Sequence, residues 1–583
     1  MLSAQQDQAV RATGHCLVSS CPGSGKTTVL THRAAFLLET HPLSRVCGVT
    51  FTADAATHLS AKIRERVPDA GPRLIAGTFH SLAGRQLRTS GIHPSIIPEF
   101  RGRDIIRRGH AMFVNSQFKA EETAEAIALY KSQVDYPVPD PDQDVRARVY
   151  HYYEEELRKA GLMDFSDLLL QAIYGMRAGT VKPLTVGYML VDECQDADGL
   201  QWAWIRAHMD AGIEVTCVGD DDQSIYGWRH ACGYAGMRRF VDTSKGSEFV
   251  LDTTYRCAPE ILSRAAQLID RNSARTPKSL QTRSSVVGQV SFEGHETRRG
   301  EIASLVEAVI NSGAPAAWGI LARTNALLDT AEEEIARAFP YTRPGGESVW
   351  DLLGPQLLLT VLGAIESERF SGIDTVMSRC GIAPGTIDTI TDRVASRWAG
   401  SLMRFTGLTD EDLGGVKQPI LCELRSRLQE WAQMVHEKRL TLATKGMASF
   451  LASNVRWGGS AKPRPERVHE EHDRLVRCAE RIVRLPGSLA SVLRLLTQDK
   501  REQGSTPGAQ LLTLHASKGL EFERVWILGC EEGVIPSHKG EREEERRLLY
   551  VGMTRAKRTL MLSYCREDKA QASKFIEEAG IFI

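Results

Sequence analysis

A chain of 583 residues holds material for roughly three to five domain-sized units. Its 42% hydrophobic and 25% charged residues are the mixture of a folded protein, which excludes disordered, collagen-like and coiled-coil chains. Lys and Arg total 72 against 73 Asp and Glu, so a polyanionic partner would have to be met by a local basic track and not by overall charge.

The opening residues Met1 to Asp7 lack the basic-then-apolar profile of a secretory signal. No apolar run approaches the roughly eighteen residues of a membrane span. A cytoplasmic protein without membrane association is expected. The 12 cysteines contain no C-x-x-C pair and read as reduced, mostly buried thiols, with no reason to propose a metal or iron-sulfur site.

Gly14 to Val18 reads as a short buried strand. Ser20-Cys21-Pro22-Gly23-Ser24-Gly25-Lys26-Thr27 follows, and then an apolar-periodic helix over Thr28 to Leu38. In such a unit the glycines let backbone N–H groups curl around phosphate oxygens, Lys26 reaches the β- and γ-phosphates, and the Thr27 hydroxyl ligates Mg2+. The competing reading is an unrelated Gly-rich turn, and Ser20 stands where such loops usually begin with glycine. Tyr188 to Val191 supplies an apolar strand ending in Asp192, which would hold Mg2+, and Glu193, placed to take a proton from an attacking water. Alone that pair could be a solvated acidic loop; together with Lys26 it points to phosphoanhydride hydrolysis.

From here the residues resemble the UvrD/Rep/PcrA group of superfamily 1A DNA helicases, in order along nearly the whole chain. Leu2 to Val10 is similar to the family's opening motif, which implies that Gln6 reads the adenine edge of ATP. Thr50 to Ala56 and Gly77 to Ser81 resemble the two motifs that touch single-stranded DNA, through Phe51 and His80. Asp192-Glu193-Cys194-Gln195-Asp196 resembles the acidic motif. Val218 to Arg229 matches the third motif, in which Gln223 senses the γ-phosphate, Tyr226 and Trp228 stack on bases, and Arg229 meets the backbone. For the two aromatics the alternative is ordinary core packing.

Leu251 to Arg256 resembles the motif opening the second motor domain, which implies that Tyr255 stacks on adenine and Arg256 reaches the γ-phosphate. Ile320 to Asn325 is similar to the strand whose Arg323 and Asn325 face DNA. Thr513 to Phe522 resembles the fifth motif, with His515 toward DNA and Glu521 near the ribose or phosphates. Glu544 to Ala556 resembles the last motif, with Arg555 as the arginine finger. Thr28 stands where relatives usually place an arginine over the adenine, which predicts weaker ATP affinity or a relaxed base preference.

The resemblance implies an α/β fold of two RecA-like phosphate-loop motor domains, each built on a parallel sheet flanked by helices and interrupted by a helical insertion. The first motor domain is expected over 1–84 and 166–250, with its insertion over 85–165. The second is expected over 251–345 and 506–583, with its insertion over 346–505. In that last stretch the family's aromatic and basic helix is replaced by Glu347-Ser348-Val349-Trp350-Asp351-Leu352-Leu353.

The implied activity is ATP-dependent, Mg2+-dependent 3′–5′ movement on single-stranded DNA, with unwinding at single/double-strand junctions, in repair, replication, conjugation or phage defence. Alternatives are a translocase that strips proteins from single strands, or the helicase half of a two-component defence system with a partner nuclease. With 28 residues after Arg555, a fused nuclease is not expected. An RNA-directed motor and a non-catalytic scaffold fit the motifs less well.

Overall fold

Ser3 caps the first helix, α1 (Ala4–Arg11), in a reciprocal box: its hydroxyl accepts from the Gln6 N–H at 3.2 Å, and the Gln6 side chain accepts from the Ser3 N–H at 2.9 Å. The computed structural model that reveals this describes residues 2–114, 118–344, 350, 352–407, 419–457, 465–485, 487–497 and 507–581. The chain packs as two compact units, one of residues 1–301 with 514–583 and the other of residues 302–513.

In the first unit, β1 (Cys16–Ser20), α2 (Lys26–Thr40), β2 (Val46–Thr50), α3 (Ala53–Arg66), β3 (Leu74–Thr78) and α4 (Phe79–Thr89) alternate strand and helix. Helices α5 (Glu99–Phe113), α6 (Ala120–Tyr130) and α7 (Val145–Ala160) follow, pack on one another around Ile105, Ile127, Val149 and Tyr153, and contain no strand among the described residues. The alternation then resumes with α8 (Phe165–Arg177), β4 (Tyr188–Val191), α9 (Gly199–Asp210), β5 (Glu214–Gly219), α10 (Gly233–Ser244) and β6 (Ser247–Leu251).

All six strands are parallel in the order β3-β2-β4-β5-β1-β6. Parallel strands are buried on both faces, which is why β1 and β2 are buried at every position and show no alternation of apolar and polar residues. One core lies under α4, α8 and α9 around Phe79 and Trp204; the other lies under α1 and α2 around Val18, Leu30 and Leu38. In such a sheet, ligands gather beyond the carboxyl ends of the strands.

Past β6, the short β7 (Thr253–Thr254) pairs with β8 (Gln281–Thr282) across α11 (Pro259–Ile269), and β9 (Gln289–His295) follows. The second unit takes up most of α12 (Arg298–Asn311), then β10 (Trp318–Ala322), α13 (Asn325–Ala338) and β11 (Tyr341–Thr342). Among the described residues eight helices come next: α14 (Leu353–Glu366), α15 (Ile373–Arg379), α16 (Pro384–Trp398), α17 (Leu402–Thr406), α18 (Pro419–His436), α19 (Leu440–Asn454), α20 (Pro465–Arg484) and α21 (Leu489–Thr497). They share a core around Leu358, Phe405, Trp431 and Leu451, and β12 (Ala509–Thr513) then pairs in parallel with β10 and β11. Of the departure expected at Glu347 to Leu353, Glu347, Ser348, Val349 and Asp351 lie outside the described residues; Leu353 opens α14, an apolar helix buried along most of its length.

The chain returns to the first unit through β13 (Phe522–Ile527), α22 (Arg542–Met553), β14 (Ala556–Cys565) and α23 (Lys574–Glu578), with β13, β14 and β9 in parallel register. All 12 cysteines are free thiols, buried except Cys232 and Cys422, which are half-buried. Among the described residues no helix is long and apolar enough to cross a membrane.

Candidate nucleotide and nucleic-acid site

The phosphate loop leaves the carboxyl end of β1, which runs Cys16–Ser20, two residues later than the Gly14–Val18 expected; helix α2 likewise starts at Lys26, before Thr28. A fully buried strand has no two-residue alternation to fix its ends, which accounts for the shift. Gly23 and Gly25 adopt φ of 72° and 85°. A Cβ on Gly23 would lie 2.6 Å from both Arg256 Cβ and Thr254 Oγ1, and one on Gly25 would lie 2.8 Å from Gln6 Nε2. Only glycine fits either place. Ser20 has its own job, its hydroxyl donating to the Gly219 carbonyl at 2.8 Å and tying the loop to β5.

No side chain caps α2, so its first N–H groups face the loop unsatisfied, a ready seat for an anion. Gln6 donates from Nε2 to the Ser24 carbonyl at 2.8 Å. It therefore holds the loop as well as capping α1. Ser24 is buried, Thr28 is exposed and Thr27 is half-buried on the first turn of α2.

Asp192 and Glu193 follow β4. Glu193 sits at φ 49°, an uncommon left-handed backbone for a side chain of its size. Its carboxylate accepts from Lys26 Nζ at 2.8 Å and from Gln195 Nε2 at 2.7 Å. Burial opposes that charge, yet Lys26 and Lys518 together hold the carboxyl below its ordinary range. Burial, then the Glu193 charge, pushes Asp192 upward. Among the described residues Asp192 makes no ion pair and accepts only the Glu193 N–H, at 3.0 Å. The half-buried Asp192 carboxylate just past β4 and the Thr27 hydroxyl on the first turn of α2 are oxygen donors of the kind a divalent cation takes, so the residues fit Mg2+.

Beyond β5, Gln223 donates to Asp220 Oδ2 at 2.5 Å and accepts from Arg555 Nη2 at 3.0 Å. Arg555 is buried, and its remaining N–H groups reach the Val551 and Leu520 carbonyls at 2.8 and 3.2 Å. Arg256 donates to Glu521 at 2.9 Å, and Lys557 shares that carboxylate at 3.0 Å. The Tyr255 ring is 50% exposed. Residues from both ends of the sequence thus surround one phosphate loop: Lys26, Glu193 and Gln223 from before residue 250, Arg256, Glu521 and Arg555 from after it.

A second cluster lies just past Gln223. Tyr226 is half-buried and Trp228 is 61% exposed, with ring centroids 6.3 Å apart, so neither has the burial of a core aromatic. The His515 ring lies 6.2 Å from Tyr226, and the Arg229 guanidinium lies 4.5 Å over Trp228. Exposed π-faces beside a cation are what unpaired bases stack on. Phe51 packs edge-on against Phe79 at 5.4 Å, and His80 against Phe165 at 5.8 Å, where burial lowers the imidazole pKa. Arg323 and Asn325 belong to the second unit, at the end of β10 and the start of α13, where the Asn325 side chain accepts from Arg343 at 3.2 Å.

Three residues escaped the sequence reading. Lys518 bonds Asp196 at 2.6 Å and the Gln223 carbonyl at 2.8 Å while standing 5.0 Å over the Tyr226 ring. Gln195 links Glu193 to the Asp220 N–H, accepting the latter at 2.9 Å. Phe165, 62% exposed, presents a further aromatic face beside His80. Lys518 and Gln195 lie inside strings already singled out, so only their partners were hidden, whereas Phe165 lies at the end of the insertion expected over 85–165, where no motif marked it.

A parallel sheet with a phosphate loop at β1, carboxylates at β4 and arginines brought in from a second parallel ladder defines a RecA-like phosphate-loop nucleoside triphosphatase. Residues 2–234 match the UvrD/REP helicase N-terminal domain and residues 418–567 match the UvrD-like helicase C-terminal domain, and the chain belongs to the UvrD/REP helicase family. DNA helicase II of Escherichia coli (strain K12) is 29% identical across 100% of this chain and 87% of its own length. ATP-dependent DNA helicase PcrA of Staphylococcus epidermidis RP62A is 27% identical across 99% of this chain and 86% of its own length.

Proposed function

We propose that this enzyme is an ATP-driven motor that moves 3′ to 5′ along single-stranded DNA and separates duplex strands at junctions, acting in the cytoplasm in DNA repair, replication or defence. The observation that carries the reading is Lys518, whose ammonium touches Asp196 and the Gln223 backbone on the nucleotide side and the Tyr226 ring on the stacking side. One cation in contact with both clusters gives hydrolysis a physical route to the DNA grip.

ATP is taken by the phosphate loop between the segments before and after residue 250, the two motor domains (1–84 with 166–250, and 251–345 with 506–583) each carrying its helical insertion. A bound phosphate replaces Glu193 as the partner of Lys26, which frees Glu193 to accept the proton of the attacking water. Thr27 and Asp192 would hold Mg2+, which supplies charge neutralisation at the β- and γ-phosphates. Arg256 and Arg555 stabilise charge on the transferring phosphoryl group, and Gln223, bonded to Arg555, senses its presence. Tyr226, Trp228, Phe51, His80 and His515 receive the bases and Arg229 the backbone; Arg323 and Asn325 face DNA as well. Gln6 and Tyr255 take the adenine.

Strand displacement on partial duplexes with a 3′ or a 5′ tail, with ATP hydrolysis followed in the same tubes and Glu193→Gln as the inactive control, tests the proposal. Unwinding from the 3′ tail alone supports it. DNA-stimulated hydrolysis without displacement would make the enzyme a translocase that clears proteins or awaits a partner nuclease, and hydrolysis indifferent to DNA would refute the motor.

A further inference from the structure

Asp220, Asp221 and Asp222 are three consecutive carboxylates with relative exposures of 0%, 2% and 1%. Three adjacent buried negative charges persist only with counter-charge at bonding distance. That charge comes from a stretch in which no motif was recognised. Lys278 Nζ lies 2.7 Å from Asp220 Oδ1, 2.8 Å from Asp221 Oδ1 and 2.9 Å from Asp222 Oδ2, and its side chain is 0% exposed. Arg275 grips both oxygens of Asp222 at 2.8 and 2.9 Å, and the Thr276 N–H donates to Asp221 Oδ2 at 2.5 Å.

Asp220 is where this cluster meets the chemistry. Its Oδ1 receives Lys278, so its Oδ2 is turned to receive Gln223 Nε2 at 2.5 Å. A glutamine amide has one donating and one accepting end, so this bond leaves Gln223 Oε1 facing Arg555 Nη2, at 3.0 Å. The Asp220 N–H donates to Gln195 Oε1, which aims Gln195 Nε2 at Glu193. One residue thereby sets the polarity of two amides, one toward the arginine and one toward the base.

We propose that Lys278 is a positioning residue for ATP hydrolysis: it orients Asp220, and through Asp220 it fixes the Gln223 amide that holds Arg555. The proposal rests on the hydrolytic reading given above. Without the ammonium, Asp220 recruits another donor, Gln223 turns, and its NH2 group meets Arg555 donor against donor. An arginine at 278 keeps the charge, but its planar fork cannot place donors on three carboxylates as a tetrahedral ammonium does.

The test compares wild type, Lys278→Met, Lys278→Arg, Gln223→Ala and the double variant Lys278→Met/Gln223→Ala. It measures steady-state ATPase with saturating oligo-dT, binding of a fluorescent ADP analogue without DNA, and thermal unfolding. The expected result for Lys278→Met is a kcat about ten- to a hundredfold lower, with KM for ATP and ADP-analogue affinity within about threefold of wild type. Lys278→Arg should show a smaller fall of the same kind, and it carries the test if the methionine variant does not fold. In the Gln223→Ala background, loss of Lys278 should cost less than about threefold further, because the two act in one line.

Three results would overturn the proposal: kcat within about threefold of wild type in a folded variant, multiplicative losses in the double variant, or kcat and nucleotide affinity falling together with the unfolding midpoint. A wild-type enzyme without DNA-stimulated ATPase would instead refute the hydrolytic reading.

Discussion

Replacing Trp228 by alanine removes an indole that is 61% exposed and is covered on one side by the Arg229 guanidinium at 4.5 Å. So little of the ring is buried that the fold should lose no more than about 0.5 kcal/mol. Loss of one stacked base is worth about 1–3 kcal/mol, which corresponds to roughly a five- to 150-fold rise in Kd for single-stranded DNA. The same measurement separates stacking from charge. Trp228 neutralises no phosphate, so the slope of log K against log salt should be unchanged in Trp228→Ala, whereas Arg229→Ala should flatten it by about 0.7. Fluorescence anisotropy with labelled oligo-dT at four salt concentrations, beside thermal unfolding, provides both numbers. An affinity within about twofold of wild type, or a salt slope that changes in Trp228→Ala, would refute a stacking role for this residue.

With Thr28 exposed in place of an arginine over the base, the Michaelis constants for ATP and GTP should lie within about tenfold of each other; a strong ATP preference in steady-state kinetics would contradict that. Lys131, with a side chain 3% exposed, pairs with Glu154, Asp164 and Asp167 at 2.6, 2.9 and 2.7 Å. Lys131→Met leaves those carboxylates uncompensated, so urea unfolding should show a loss of about 3–5 kcal/mol, partly restored by Asp167→Asn. Burial lowers the His208 pKa from 6.5 to about 4, against a hydrogen bond to the Trp204 carbonyl that favours the charged form. The neutral ring therefore stabilises the fold above pH 6.5, and that contribution, on the order of 3 kcal/mol, is lost as pH falls from 6.5 toward 4. Unfolding midpoints for wild type and His208→Gln should converge over that window, and parallel pH profiles would refute the assignment.

The candidate nucleotide site was readable because the chemistry proposed for it demands particular residue types beside particular elements: glycines with a lysine between strand and helix, and carboxylates at the end of an apolar strand. Those constraints are local, so Lys26, Asp192 and Glu193 stand out within a few residues of their surroundings. Tyr226 and Trp228 were legible as a pair, but only their exposure separates a stacking platform from core packing. Lys518, Lys278 and Gln195 were not legible in the same way. Lys518 meets Asp196 across 322 positions and Lys278 meets Asp220 across 58, and no periodicity or turn signal announces an ion pair of that span. Strand limits failed for a different reason, since a strand buried on both faces carries no alternation to mark its ends, and β1 continues into Ser19 and Ser20.

The polypeptide that crosses from β6 toward α11 is stitched to the phosphate loop itself: the Cys21 N–H donates to the Leu251 carbonyl at 2.9 Å and the Tyr255 N–H to the Gly23 carbonyl at 3.0 Å. Gly23 also has no room for a side chain against Thr254 and Arg256. The connecting segment and the phosphate loop therefore form one hydrogen-bonded junction. A shift of the loop must be shared by the residues from Leu251 to Arg256 that are bonded to it or packed against it. A side chain at position 23 would force that junction apart, so its cost would fall on both sides of the loop at once.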